Sequence, residues 1–285
     1  MKKKLLCMAL AAAMALGLCA CGSDDGGTTD ASTDDGTTST ATGAAFKIGG
    51  TGPLTGSASI YGVAAKNGAQ IAVDEINALG GDIQFELLPA ADDVNDAETS
   101  VNAYNSLMDK GMQILVGTVT TQPALSVVPL TYDDRVFTLT PSASGDDVIE
   151  NNDNVFQICF TDSNQGSRSA QYINEHFPDA KIGIIYKNDE QYSIGIRDNF
   201  KAEADARGMG IVYEGTFAEA NQTDFNVQLT AAQSAGADLL FLPIYYTPAS
   251  AILTQANALG YKPTFFGVDG MDGILTAKNF DASLA

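Results

Sequence analysis

Residues 46–81 read FKIGGTGPLTGSASIYGVAAKNGAQIAVDEINALGG. A short strand signal, Phe46–Gly50, runs into a loop rich in glycine and hydroxyl residues. Ala65, Ala69, Ala72, Val73 and Ile76 then recur at helical spacing over 61–79, and Gly80-Gly81 stops the helix. The same strand–helix alternation continues down the chain. Strands are predicted at 83–88, 113–116, 136–139 and 155–160, with helices at 96–110 and 122–131 between them. A second series has helices at 165–177, 194–207, 224–234 and 248–259, with strands at 181–186, 210–213, 238–243 and 264–267. Strands alternating with helices of this length imply parallel sheets covered by helices on both faces. Two such series imply two lobes. The polar, aperiodic stretch Thr161-Asp162-Ser163-Asn164 is where the chain is expected to pass between them.

Ligands of such sheets bind beyond the carboxyl ends of the strands. In the first series those positions hold GPLTGSASIYG (52–62), GTVTTQP (117–123) and TPSAS (140–144). In the second they hold KNDEQYS (187–193), PIYYT (243–247) and GVDGMD (267–272). One lobe offers hydroxyls and small residues ahead of helix starts, a setting that holds an anion. The other offers tyrosines and a carboxylate, a setting that holds a cation. A small zwitterion such as an amino acid would bridge the two. Each of these residue types is also an ordinary turn or cap residue; the argument for a site is the complementary chemistry at matching strand ends.

These stretches resemble the branched-chain amino-acid (Leu/Ile/Val) binding proteins of ABC importers, with the type I periplasmic binding fold. The resemblance is carried by residues 52–81, Asp92-Asp93, VGTVTTQPA, TPSAS, NDEQYSIGI, LPIYY and FFGVDG, and runs from residue 46 to about 280. It implies an α/β, two-lobed fold, each lobe a parallel sheet flanked by helices. The implied lobes are 46–162 and 163–285. It implies that Thr120, Thr121, Ser142, Ala143 and Ser144 meet the carboxylate and ammonium of the ligand from the first lobe. Tyr61 lines the side-chain pocket, Tyr192 and the Tyr245-Tyr246 pair face it from the second lobe, and Asp269 binds the ammonium. Members for branched aliphatic ligands often carry glutamate where Asp269 stands, and glycine where Ser193 stands. The family's chains continue past the position that matches Ala285 and re-cross between the lobes. A C-terminally truncated piece with an incomplete second lobe is therefore expected, with apolar surface of the first lobe left exposed.

The opposite end of the chain predicts an address. Met1-Lys2-Lys3-Lys4 precedes an apolar run too short to span a bilayer, the pattern of a secretory signal over 1–20. Leu18-Cys19-Ala20-Cys21 resembles the lipobox of bacterial lipoproteins, in which the cysteine, here Cys21, is acylated. Residues 22–45 contain no aromatic, large aliphatic or basic residue. The segment 21–45 therefore reads as a lipidated cysteine and an acidic disordered linker, a coil of roughly 25–30 Å end to end. The expected location is extracytoplasmic, on the cell membrane through the lipid.

Composition narrows the function further. Thirty-five acidic against 15 basic residues give a net charge of −20, which argues against nucleic-acid binding. No P-loop, nucleophile elbow or correctly spaced G-x-G-x-x-G is present. The single histidine, His176, has no partner for a triad or metal site. Asp92-Asp93-Val94-Asn95-Asp96 lacks the calcium-loop glycine and is expected to cap the helix near 96. Cys159, in an apolar run, is expected to be a small buried hydrophobe. No catalytic residue, metal or cofactor is predicted. The expected partners are a small amino-acid ligand, an ABC permease and the membrane, through the anchor. A ligand sensor signalling to a membrane partner is the alternative use of the same fold.

Overall fold

The computed structural model describes residues 45–285. The signal peptide, Cys21 and the linker lie outside the described residues. The first lobe is a parallel sheet of β1 (Phe46–Gly52), β2 (Phe85–Leu87), β3 (Ala91–Asp92), β4 (Ile114–Val116), β5 (Phe137–Thr140) and β6 (Val155–Gln157), ordered β2-β1-β4-β5-β6 with β3 also on β1. Its helices are α1 (Ser59–Ala78), α2 (Ala97–Asp109) and α3 (Thr121–Asp133). The second lobe carries α4 (Asp162–His176), β7 (Ile182–Lys187), α5 (Gln191–Arg207), β8 (Ile211–Phe217), α6 (Asn226–Ser234), β9 (Leu239–Leu242), α7 (Tyr246–Ala258) and β10 (Thr264–Gly267). Its four parallel strands are ordered β10-β9-β7-β8.

Strand order locates the two places where a ligand can sit. In the first sheet β2 lies on one side of β1 and β4 on the other, so the crossovers diverge between β1 and β4. In the second they diverge between β7 and β9. Diverging connections leave a crevice at the carboxyl ends of those strands. The loops that open there are 52–58, 117–120, 188–190 and 243–245.

The second lobe packs around β7, whose six residues Ile182–Lys187 are all buried, as expected for a central strand covered on both faces. On one face Phe200 of α5 stacks on Phe241 of β9 with ring centroids 4.0 Å apart. Helices α4 and α5 approach closely at Gly166: a Cβ there would lie 2.7 Å from the Phe200 backbone nitrogen. α5 ends at Gly208 in the left-handed conformation, φ +67°.

The first lobe departs from the sequence reading in several details. On α1, Val73 is buried but Ile76 is 44% exposed. At that turn Asn77 makes the contact with the sheet instead, exchanging two hydrogen bonds with the Phe85 backbone at 2.8 and 2.9 Å. The strand predicted over 155–160 ends at Gln157, where the chain leaves the sheet for α4. Ile71, Leu79, Ile83, Phe156, Ile158 and Phe160 are exposed. Cys159 is half-buried rather than buried; burial still pushes its thiol up to about 11, which leaves it protonated and unreactive at neutral pH.

The acidic run 92–96 divides its labour. Only Asp96 caps α2, accepting from the Thr99 backbone N–H at 2.8 Å. Asp92 instead accepts from Leu54 N–H, Thr55 Oγ1–H and Val94 N–H at 2.8, 2.6 and 3.0 Å, tying down the loop after β1. Asp93 is fully buried and accepts from Asn95 N–H at 3.0 Å.

Candidate functional site

A cavity of about 210 Å³ opens between the lobes where the two crevices face each other. Its lining is Tyr61, Val119, Thr120, Ser142, Ser144, Tyr192, Tyr245, Asp269, Gly270 and Asp272. Seven of these ten positions are sequence-predicted site residues. Val119, Gly270 and Asp272 are additions; all three lie in the strand-end segments singled out in the sequence, but only side-chain placement distinguishes them from their neighbours.

Three sequence-predicted residues stand behind the lining. Thr121 is in the first turn of α3, and its hydroxyl oxygen accepts from the backbone N–H groups of Ser144 and Gly145 at 3.2 and 3.1 Å. It holds the 142–145 loop against the helix start. Ala143 is fully buried; its N–H donates to Thr140 Oγ1 at 3.0 Å and its carbonyl accepts from Gln157 Nε2 at 2.6 Å. Tyr246 points into the core of the second lobe, with its ring edge-on to Tyr61 at 5.8 Å. Thr120, the N-cap residue of α3, is buried, and its Oγ1 has no hydrogen-bond partner among the described residues.

The second-lobe wall is an aromatic assembly. Tyr192 and Tyr245 stack in parallel, centroids 4.7 Å apart and planes 6° from each other. The Tyr61 ring, from the first lobe, tilts against Tyr245 at 5.5 Å. Its hydroxyl donates across the cleft to the Gly270 carbonyl. Tyr192 and Tyr246 lie in the first turns of α5 and α7, not in the preceding loops as periodicity suggested. Of the two, only Tyr192 lines the cavity.

Asp269 is the electrostatic centre of the wall. It begins a single helical turn after β10. Its carboxylate accepts from the Tyr192 hydroxyl at 2.5 Å, and its N–H donates to Gln165 Oε1 at 3.3 Å. Burial pushes its carboxyl above the ordinary range, while the hydrogen bond from the Tyr192 hydroxyl opposes that shift. Asp162, at the start of α4, is buried 5 residues past the end of β6 and is pushed up to about 7 by its own burial. No basic side chain lines the cavity. Such a wall has an uncompensated demand for a positive charge. No grouping of three or more His, Cys, Asp or Glu suited to a metal ion occurs among the described residues.

The periplasmic binding protein family profile matches residues 45–279. The chain belongs to that family. Its relatives include the Leu/Ile/Val-binding protein BraC3 of Rhizobium johnstonii, 32% identical over 79% of this chain and 61% of the relative. Among solved structures, the branched-chain amino acid transporter substrate-binding protein LivJ of Streptococcus pneumoniae, in complex with isoleucine, is 30% identical with a TM-score of 0.72. The match covers 79% of this chain and 64% of LivJ. The leucine-binding protein LivK of Thermotoga maritima superimposes with a TM-score of 0.74 at 25% identity, covering 81% of this chain and 66% of LivK. The chain spans about three fifths of the length of the curated relatives it matches. Periplasmic binding proteins are solute-binding proteins rather than enzymes. No helix among the described residues is long and apolar enough to cross a membrane.

Proposed function

We propose that this protein captures an amino acid, branched-chain or a related small zwitterion, between its lobes and delivers it to an ABC permease. The observation that carries the reading is the asymmetry of the cavity. On one side lie Ser142, Ser144 and the unpartnered hydroxyl of Thr120 at the start of α3, where the helix N-terminus favours a carboxylate. On the other lie Asp269 and the stacked tyrosines, which favour an ammonium. Tyr61 and Tyr245 bound the space left for the side chain. Thr121, Ala143 and Tyr246 support this wall from behind.

In this reading, lobes 46–162 and 163–285 close about a hinge at 161–164, and ligand bound to both lobes shifts the equilibrium toward the closed form. Residues 1–20 direct export, and acylated Cys21 with the acidic linker to residue 45 tethers the body outside the cell beside its permease. The names of the relatives above support the ligand class. The test is thermal unfolding with leucine, isoleucine and valine added singly. A midpoint that rises with ligand concentration is the expected result. No shift with any of the three refutes the branched-chain assignment.

A further inference from the structure

The loop between β3 and α2 contains two consecutive non-glycine residues with positive φ. Val94 and Asn95 both adopt left-handed backbone, φ +48° and +62°. Asparagine tolerates this region, but a β-branched valine does so at a cost. Packing does not impose the strain, because the Val94 side chain is 46% exposed. Two neighbouring carboxylates hold it instead: Asp92 accepts from Val94 N–H and Asp93 from Asn95 N–H, both at 3.0 Å. The consequence of the turn is that Asn95 reaches across the cleft. Its Nδ2 donates to Glu190 Oε1 of the second lobe at 3.1 Å.

Glu190 is equally committed to this contact. It occupies the N-cap position of α5 yet makes no side-chain cap bond. It is 4% exposed, and its other oxygen lies 3.3 Å from Nζ of buried Lys187, which also pairs with Glu219 at 2.6 Å. Neither Asn95 nor Glu190 lines the ligand cavity. A nearly dry acceptor, paired with Lys187, is therefore anchored in one lobe, and a strained turn in the other carries the donor to it.

We infer that Asn95 and Glu190 form a latch that stabilises the closed arrangement of the lobes independently of what the cavity holds. The inference rests on the reading of the protein as a two-lobed binder. Because the latch touches no ligand, it scales the affinity of every ligand by the same factor.

The test compares wild type with Asn95→Gly, which keeps the left-handed backbone without strain, and Asn95→Asp, which sets a carboxylate against Glu190. Fluorophores on non-natural residues at exposed Asp109 and Asp205 report lobe separation in the full chain. Without ligand, the closed-to-open ratio is expected to fall about tenfold in Asn95→Gly and further in Asn95→Asp. With leucine, isoleucine and valine, calorimetry is expected to show the same fold-loss for each. An unchanged ratio, or no closed population in wild type, overturns the latch, as does a loss confined to one ligand. If wild type binds none of the three, the ligand assignment fails while the ligand-free arm still decides the latch.

Discussion

Replacing Asp269 by alanine tests the centre of the proposed site. The carboxylate would face the ligand ammonium from a wall shielded by Tyr192 and Tyr245. Two unit charges about 4 Å apart interact by about 4 kcal/mol at the effective dielectric of such partly buried sites. Solvent at the mouth, where Asp272 is exposed, reduces this. The loss of one partner of a buried charge pair falls in the same range, about 3–5 kcal/mol. We expect about 3 kcal/mol, roughly a 150-fold weaker Kd for leucine by calorimetry at neutral pH. Asp269→Asn serves as the control for structure, since its amide oxygen can still accept from the Tyr192 hydroxyl, which is held by Gly270 N–H at 2.9 Å as well. The pH dependence gives an independent reading. Burial raises the Asp269 carboxyl, so it takes up a proton at a higher pH than an ordinary carboxylate. Wild-type affinity should fall on acidification through that raised value, and the Asp269→Asn profile should be flat there. A Kd within about threefold of wild type in both variants would refute the role assigned to this residue.

Other outcomes follow from the scaffold. Asp93 is raised by burial from 3.8 to about 7, so it binds its proton more tightly folded than unfolded. Its contribution to stability is fully present below 3.8 and is lost as pH rises through about 7. Asp162 shifts the same way. The melting temperature should therefore be higher at pH 5 than at pH 8, and Asp93→Asn should narrow that difference in a calorimetric scan. Asp92→Ala removes the acceptor shared by Leu54, Thr55 and Val94; chemical denaturation should show a loss of about 1–3 kcal/mol. Gly166→Ala forces a methyl group against the Ile196 carbonyl and Phe200 nitrogen of α5. It should cost about 1–3 kcal/mol in the same assay, and an unchanged midpoint would contradict the close packing of α4 on α5.

The alternation of strands and helices was legible because each element carries its own period: buried strands such as Ile182–Lys187 read as continuous apolar runs, and helices such as α2 show a cap and an apolar face. Boundaries were less legible. Tyr192 and Tyr246 fall inside helices because the helices begin before their apolar periodicity does. The strand-end loops could be named because a parallel sheet presents its ligand there; the individual residues within them were implied by the resemblance to the binding-protein family.

The amino-acid order alone determined the fold class, the two-lobed plan and the small set of loops from which a site can be built, since local periodicity and strand-end position are properties of neighbours in sequence. Only the tertiary structure decided which members of that set share one cavity. Thr120 faces the cavity while Thr121 braces a loop, although the two residues are adjacent and of the same type. Tyr245 lines the wall while Tyr246 fills the core. The physical reason is that each pair straddles a helix start, an extended N-cap residue followed by the first helical one, so the two side chains leave in different directions, and which of them faces the other lobe depends on how two separate sheets meet. The Asn95–Glu190 contact has the same origin: its partners are 95 residues apart, and no local pattern brings them together.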